Sequence, residues 1–88
     1  MEPRVQSALP TPEELQRAIA AKLDCHWLKV DGDGQHFEAL IVSAAFEGKS
    51  RIERHRLVYA ALGDRMRDRV HALSMKTLTP EEHQGVGN

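Results

Sequence analysis

The sequence predicts an α+β domain in the order helix, strand, strand, helix, short helix, strand, with a three-stranded mixed sheet and helices on one face. Three observations carry this. Thr11-Pro12-Glu13-Glu14 opens a segment with apolar residues at three and four spacing. Asp31-Gly32-Asp33-Gly34 joins two short apolar runs. A long helical stretch then separates the second run from the third, and only a crossover of that length joins parallel neighbours in one sheet.

Each element follows from local chemistry. Residues 1–11 hold Pro3 and Pro10 with no apolar period and are taken as a flexible leader, the domain running over 12–82. At the first helix, threonine caps, proline occupies the first helical position and two carboxylates face the positive end of the helix dipole. Leu15, Ile19 and Leu23 are its buried stripe. Trp27 to Val30 is the first strand, and the Asp-Gly pairs after it form a hairpin turn. Phe37 to Phe46 is the main strand, apolar on both faces and so central. Ser50 with Glu53 has capping-box spacing for a second helix whose inward stripe is Ile52, His55, Tyr59 and Leu62, with Val58 beside it. Gly63-Asp64 ends that helix and starts a short third one through Arg67. Val70 to Thr79 is the last strand, stopped by Pro80, and His83 to Asn88 is a frayed tail.

Size and composition narrow the function. A chain of 88 residues buries only about 60 to 65% of its unfolded surface, which leaves little room for a deep substrate pocket. Trp27, Phe37, Phe46 and Tyr59 must therefore supply much of the core. The single cysteine excludes an internal disulfide, and a reducing cytoplasm is the expected setting. The longest apolar run without charge, Ala39 to Phe46, is far short of the roughly 20 residues a membrane helix needs. The net charge of −1 hides polarity: residues 1–48 carry four basic and eight acidic side chains, whereas residues 49–69 carry seven basic and three acidic. Lys49, Arg51, Arg54, Arg56, Arg65, Arg67 and Arg69 form that basic segment, which suits an acidic protein face, a phosphate backbone or ion pairs on a solvated helix.

Two histidines stand out. His36 begins the second strand and His71 the third, so parallel pairing places both along one rim of the sheet, where neighbouring strands lie roughly 4.8 Å apart. Two imidazoles make half of a metal site, because a structural zinc or a [2Fe-2S] cluster takes about four ligands. From spacing alone His71 reads as a strand residue bonded to a carbonyl sooner than as a ligand, and His36 equally as a surface imidazole. His55 lies on the inward stripe and packs. Cys25-His26 point to opposite faces of a strand and make a poor ligand pair. No triad, nucleophile elbow or phosphate loop is present, so no enzyme is expected.

The passage from Phe46-Glu47-Gly48-Lys49-Ser50 through Arg54-His55-Arg56-Leu57-Val58-Tyr59, followed by Val70-His71-Ala72-Leu73, resembles the BolA family over about Leu15 to Glu82. The resemblance implies a fold similar to the type II KH domain. It also implies a non-enzymatic adaptor in iron-sulfur or iron homeostasis or stress response; although a mixed sheet with one exposed edge could self-pair, a small monomer that forms a heterodimer only with its partner is the simpler expectation. That partner is a monothiol glutaredoxin, with which BolA-like proteins share a [2Fe-2S] cluster also held by glutathione. On the BolA side the family uses the histidine of the His-Ala-Leu element, here His71, and a histidine or cysteine in the loop between the first two strands, here His36. Where many relatives carry tryptophan after Thr79-Pro80-Glu81-Glu82 this chain has His83, a third imidazole for the rim if the tail folds back to it.

The alternative is a DNA-binding transcriptional regulator. The helix from Ser50, the Gly63-Asp64 break and the arginines up to Arg69 could pose as a helix-turn-helix. Against this, Ala61-Leu62-Gly63-Asp64 is not the Gly-x-x-Gly loop with which a KH domain clamps a strand, and the chain as a whole is slightly acidic.

Overall fold

The computed structural model describes residues 11–33, 35–64 and 72–86. Thr11 caps α1 (Pro12–Lys22) through a full capping box: the Glu14 amide donates to Thr11 Oγ1 and the Thr11 amide to Glu14 Oε1, both at 3.0 Å. Leu15, Ala18 and Ile19 form its buried stripe, and the Leu23 amide closes the helix on the Ile19 carbonyl. Ser50 caps α2 (Arg51–Leu62) in the same reciprocal way with Glu53. The Gly63 amide ends α2 on the Tyr59 carbonyl, with φ at 63°, a left-handed value that glycine adopts without a side-chain clash.

The sheet has β2 (Phe37–Ser43) at its centre, antiparallel to β1 (Cys25–Gly32) and parallel to β3 (Leu73–Leu78). Phe37, Ala39 and Ile41 of β2 sit opposite Leu73, Met75 and Thr77 of β3. That face meets α1 and α2 in one apolar core, which includes Leu15, Ile19, Val30, Phe37, Ile41, Phe46, Val58 and Leu62. The expected α+β order, the central strand and the mixed pairing are all present.

Several expectations are corrected. Trp27 is 53% exposed, because β1 runs from Cys25 and a register shift between Cys25 and Trp27 sets Trp27 opposite Val42 on the face away from α1. The main strand ends at Ser43 rather than Phe46. The Ser43 side chain, fully buried, donates to the Asp24 carbonyl and accepts from the Ala45 amide, which turns Ala44–Phe46 into a 3-10 turn. Ile52 is 63% exposed, since the buried stripe of α2 is Val58, Ala61 and Leu62, with His55 and Tyr59 half-buried beside it. β3 starts at Leu73, and the expected helix through Arg67 and strand start at Val70 fall outside the described residues.

The tail is the largest difference. Residues 80–86, instead of fraying from His83, form α3 (Pro80–Val86), which packs against β2 and β3. Its start repeats that of α1: the Thr79 amide donates to Glu82 Oε1 at 2.9 Å and the Glu82 amide to Thr79 Oγ1 at 3.1 Å. Arg54 then ties three segments together. Its guanidinium donates to the Lys49 carbonyl before α2, to the Thr77 carbonyl of β3 and to both carboxylate oxygens of Glu82 on α3.

Candidate functional site

The rim formed by the first residues of β2 and β3 is built by the hairpin turn. Asp33 Oδ1 accepts from the amides of Gln35 and His36, both at 2.9 Å, and the Asp33 amide donates to the His36 carbonyl. These bonds hold the Asp33 carboxyl below its ordinary range, the His36 amide contributing most. Gly32 is needed for close approach: a Cβ there would stand 2.5 Å from the His36 carbonyl oxygen and 2.6 Å from Phe37 Cδ1. The turn thus delivers His36 to the strand entrance in one backbone conformation.

His36 is exposed, and its Nε2 lies 3.4 Å from Ser74 Oγ across the sheet. This is a long contact whose direction depends on the tautomer. It shows that the imidazole leans over β3 rather than away from it. Because Phe37 pairs with Leu73, the residues preceding each strand approach the same rim, and Ala72 is the described residue there on the β3 side. His71 precedes Ala72 and lies outside the described residues, as do Arg65, Arg67 and Arg69. Among the described residues no three His, Cys, Asp or Glu side chains gather as a metal site.

His83 belongs to the other end of the sheet. It sits in α3, after the last residue of β3, with its amide on the Thr79 carbonyl and its Nδ1 buried without a hydrogen-bond partner among the described residues. The idea that it joins His36 at the rim is therefore corrected. Cys25 is half-buried, and burial first, then the Asp24 carboxylate, raises its thiol above the ordinary range, which opposes the thiolate that metals and electrophiles need. His55 is held below the ordinary histidine value by burial and then by Arg51.

Among the basic residues, Lys49, Arg51 and Arg56 are exposed at the start of α2. Arg54, grouped with them by sequence, is different: its side chain is only 14% exposed, engaged with Glu82 at 2.8 Å, and stacked 6.0 Å from the Phe46 ring centroid. It holds the fold together. Two features went unseen in the sequence, the Ser74 neighbour of His36 and the Glu82 partner of Arg54. The second had a signal, since Thr79-Pro80-Glu81-Glu82 repeats the residues that cap α1.

Residues 10–82 match the family model described as BolA-like protein. The chain belongs to the BolA-like family. It is 37% identical over 70 residues to the acid stress protein IbaG of Escherichia coli, covering 78% of this chain and 83% of that one. It is also 51% identical over 51 residues to SufE-like protein 1, chloroplastic/mitochondrial, of Arabidopsis thaliana, but that match spans 57% of this chain and only 14% of the longer protein. Among solved structures, the crystal structure of a Bol-like protein from Babesia bovis superposes with a TM-score of 0.78 at 31% identity, covering 94% of this chain and all of that one. BolA-like structures thus share the three-stranded mixed sheet and helices seen here. No helix among the described residues of this BolA-like chain is long and apolar enough to cross a membrane.

Proposed function

We propose that this BolA-like chain is a non-enzymatic adaptor that pairs with a monothiol glutaredoxin and completes the ligand shell of a shared [2Fe-2S] cluster. The observation that carries the reading is the parallel register of β2 and β3. It puts an exposed imidazole, His36, at the entrance of one strand and in contact with Ser74 of the strand that follows His71 in sequence. A cluster of this kind takes about four donors, and glutathione and the glutaredoxin cysteine would supply those that His36 and His71 do not. Imidazole ligands in place of thiolates raise the potential of such a cluster. The family resemblance supports this partner and ligand set. The name of IbaG supports a setting in stress response, and a chain with a single cysteine is consistent with a reducing cytoplasm.

Among the described residues of the basic segment, Lys49, Arg51 and Arg56 stay exposed and open to a partner, whereas Arg54 is engaged within the fold. The adaptor reading is preferred to the regulator on the family resemblance and the slightly acidic whole chain. The test is reconstitution: the full chain mixed with a monothiol glutaredoxin, glutathione, iron and sulfide gives a visible-absorbing heterodimer. His71→Ala weakens both spectrum and complex, and His36→Ala alters the spectrum. An unchanged spectrum and complex for His71→Ala would overturn the reading.

A further inference from the structure

Each edge of the sheet meets a helix side chain at one position. On β1 the Val30 amide is engaged by the Gln16 side chain of α1 at 3.3 Å. On β3 no described strand lies beyond the edge, and a groove separates it from the first half of α2, lined by Lys49, Arg51, His55, Met75, Lys76 and Thr77 among others.

The backbone of that edge is oriented to pair. The Thr77 carbonyl accepts from Arg54 Nη1 at 3.1 Å, and Arg54 stands on α2, outside the β2–β3 pair. The amide and carbonyl of one strand residue point the same way and alternate along the chain. Thr77 and, two residues earlier, Met75 therefore turn their peptide groups outward into the groove. The Arg54 guanidinium already mimics a neighbouring strand at one of these positions.

The groove also has a sign. Lys49, Arg51 and Lys76 are exposed cations, and Glu82, the carboxylate in the lining, is neutralised by Arg54. Among the described residues, a local excess of three positive charges faces the β3 edge, beyond which no described strand lies, in a chain whose total charge is −1.

We propose that this groove takes an extended acidic peptide segment of a partner protein, which adds to β3 as a fourth strand. Backbone pairing at Met75 and the Thr77 amide supplies affinity, and Arg51, Lys49 and Lys76 select carboxylates on alternate residues, the mode of strand addition at an open edge beside a helix. The proposal goes beyond the cluster reading and does not depend on it, because it uses no histidine ligand and His36 is not among the described residues that line the groove.

The test uses the full chain labelled with 15N and titrated, without iron, with a short capped peptide alternating glutamate and valine. Shift changes are expected at residues 75–78 and 51–55, with slowed hydrogen exchange at the Met75 and Thr77 amides. Lys76→Glu is expected to weaken binding about tenfold, with Arg51→Gln as a milder second variant on the exposed surface. Two further peptides, N-methylated on one or the other alternate set of backbone amides, distinguish a strand from a diffuse charge contact: one set abolishes binding and the other leaves it. Equal binding by both N-methylated peptides, shifts confined to other residues, or no binding at all would overturn the proposal. So would tighter binding of single-stranded oligo-dT at the same residues, which would make the surface a phosphate site.

Discussion

The same four residues, Thr-Pro-Glu-Glu, begin both the first helix and the last, and both form complete capping boxes, yet the helices are held in different ways. α1 continues into a stripe of Leu15, Ala18 and Ile19 that enters the core. α3 is short, with Glu81, Glu82, Gln84 and Gly85 exposed, and its first-turn Glu82 is shared between the Thr79 cap and Arg54. An isolated helix of seven residues is too short to persist alone, since nucleation is costly and helices below about 12 residues are marginal in water. The contrast teaches that a cap sets where a helix begins, and that tertiary partners decide whether it lasts.

The strongest way to break this comparison is to remove the apolar anchor of α1. Leu15→Ala, at a fully buried site, is expected to cost about 2 to 5 kcal/mol of global stability, read from the denaturant midpoint. An effect confined to amides of α1, with the midpoint unmoved, would show that α1 is peripheral. Arg54→Ala comes next. It leaves the Lys49 and Thr77 carbonyls and Glu82 without their cation and is expected to cost about 2 kcal/mol, with exchange of residues 80–86 accelerated more than that of α1. Equal acceleration in both helices would place Arg54 in the common core instead.

Cap removal sharpens the contrast further. Thr11→Ala is expected to lower global stability by about 1 kcal/mol, whereas Thr79→Ala should mainly melt α3 locally, seen as faster amide exchange at residues 80–86. The mildest effect is acid loosening. Glu82 is held below the ordinary glutamate range, first by hydrogen bonding to Arg54 and then by the Thr79 amide. A carboxylate with a depressed folded pKa stabilises the fold above its unfolded value, and that contribution is lost as pH falls through the folded one. Protection of α3 amides should therefore decline below the ordinary glutamate pKa, earlier than global unfolding, and Glu82→Gln should flatten that decline. A pH-independent α3 would assign its docking to apolar contacts.

Much of the frame was legible because local signals agreed with the final packing. The Thr11 cap, the Ser50 box and the Asp-Gly turn each act over a few residues, and together with the length of the helical crossover they gave α1, α2, the hairpin and the parallel pair. The failures are places where a distant partner decides. Trp27 was assigned to the core for its size, but the register against Val42 turns it to the outer face. The strand running to Phe46 was cut short by the bond from Ser43 to Asp24, which no periodicity contains. α3 was missed because the sequence shows no apolar stripe after Thr79, and its anchor is a charge on another helix. At the candidate site His36 was legible from the turn, but its Ser74 neighbour requires the β2–β3 register.

That register also sets an order of events. β2 can find β1 through a tight turn, but it meets β3 only after the whole α2 crossover has been made, and contacts distant in sequence form late. During synthesis, a chain released before Leu73 would carry β2 with one flank bare, presenting the peptide groups beside Phe37, Ala39 and Ile41 to any other nascent strand. Completion of β3 therefore also covers the bare flank of β2, which would otherwise be a template for another chain.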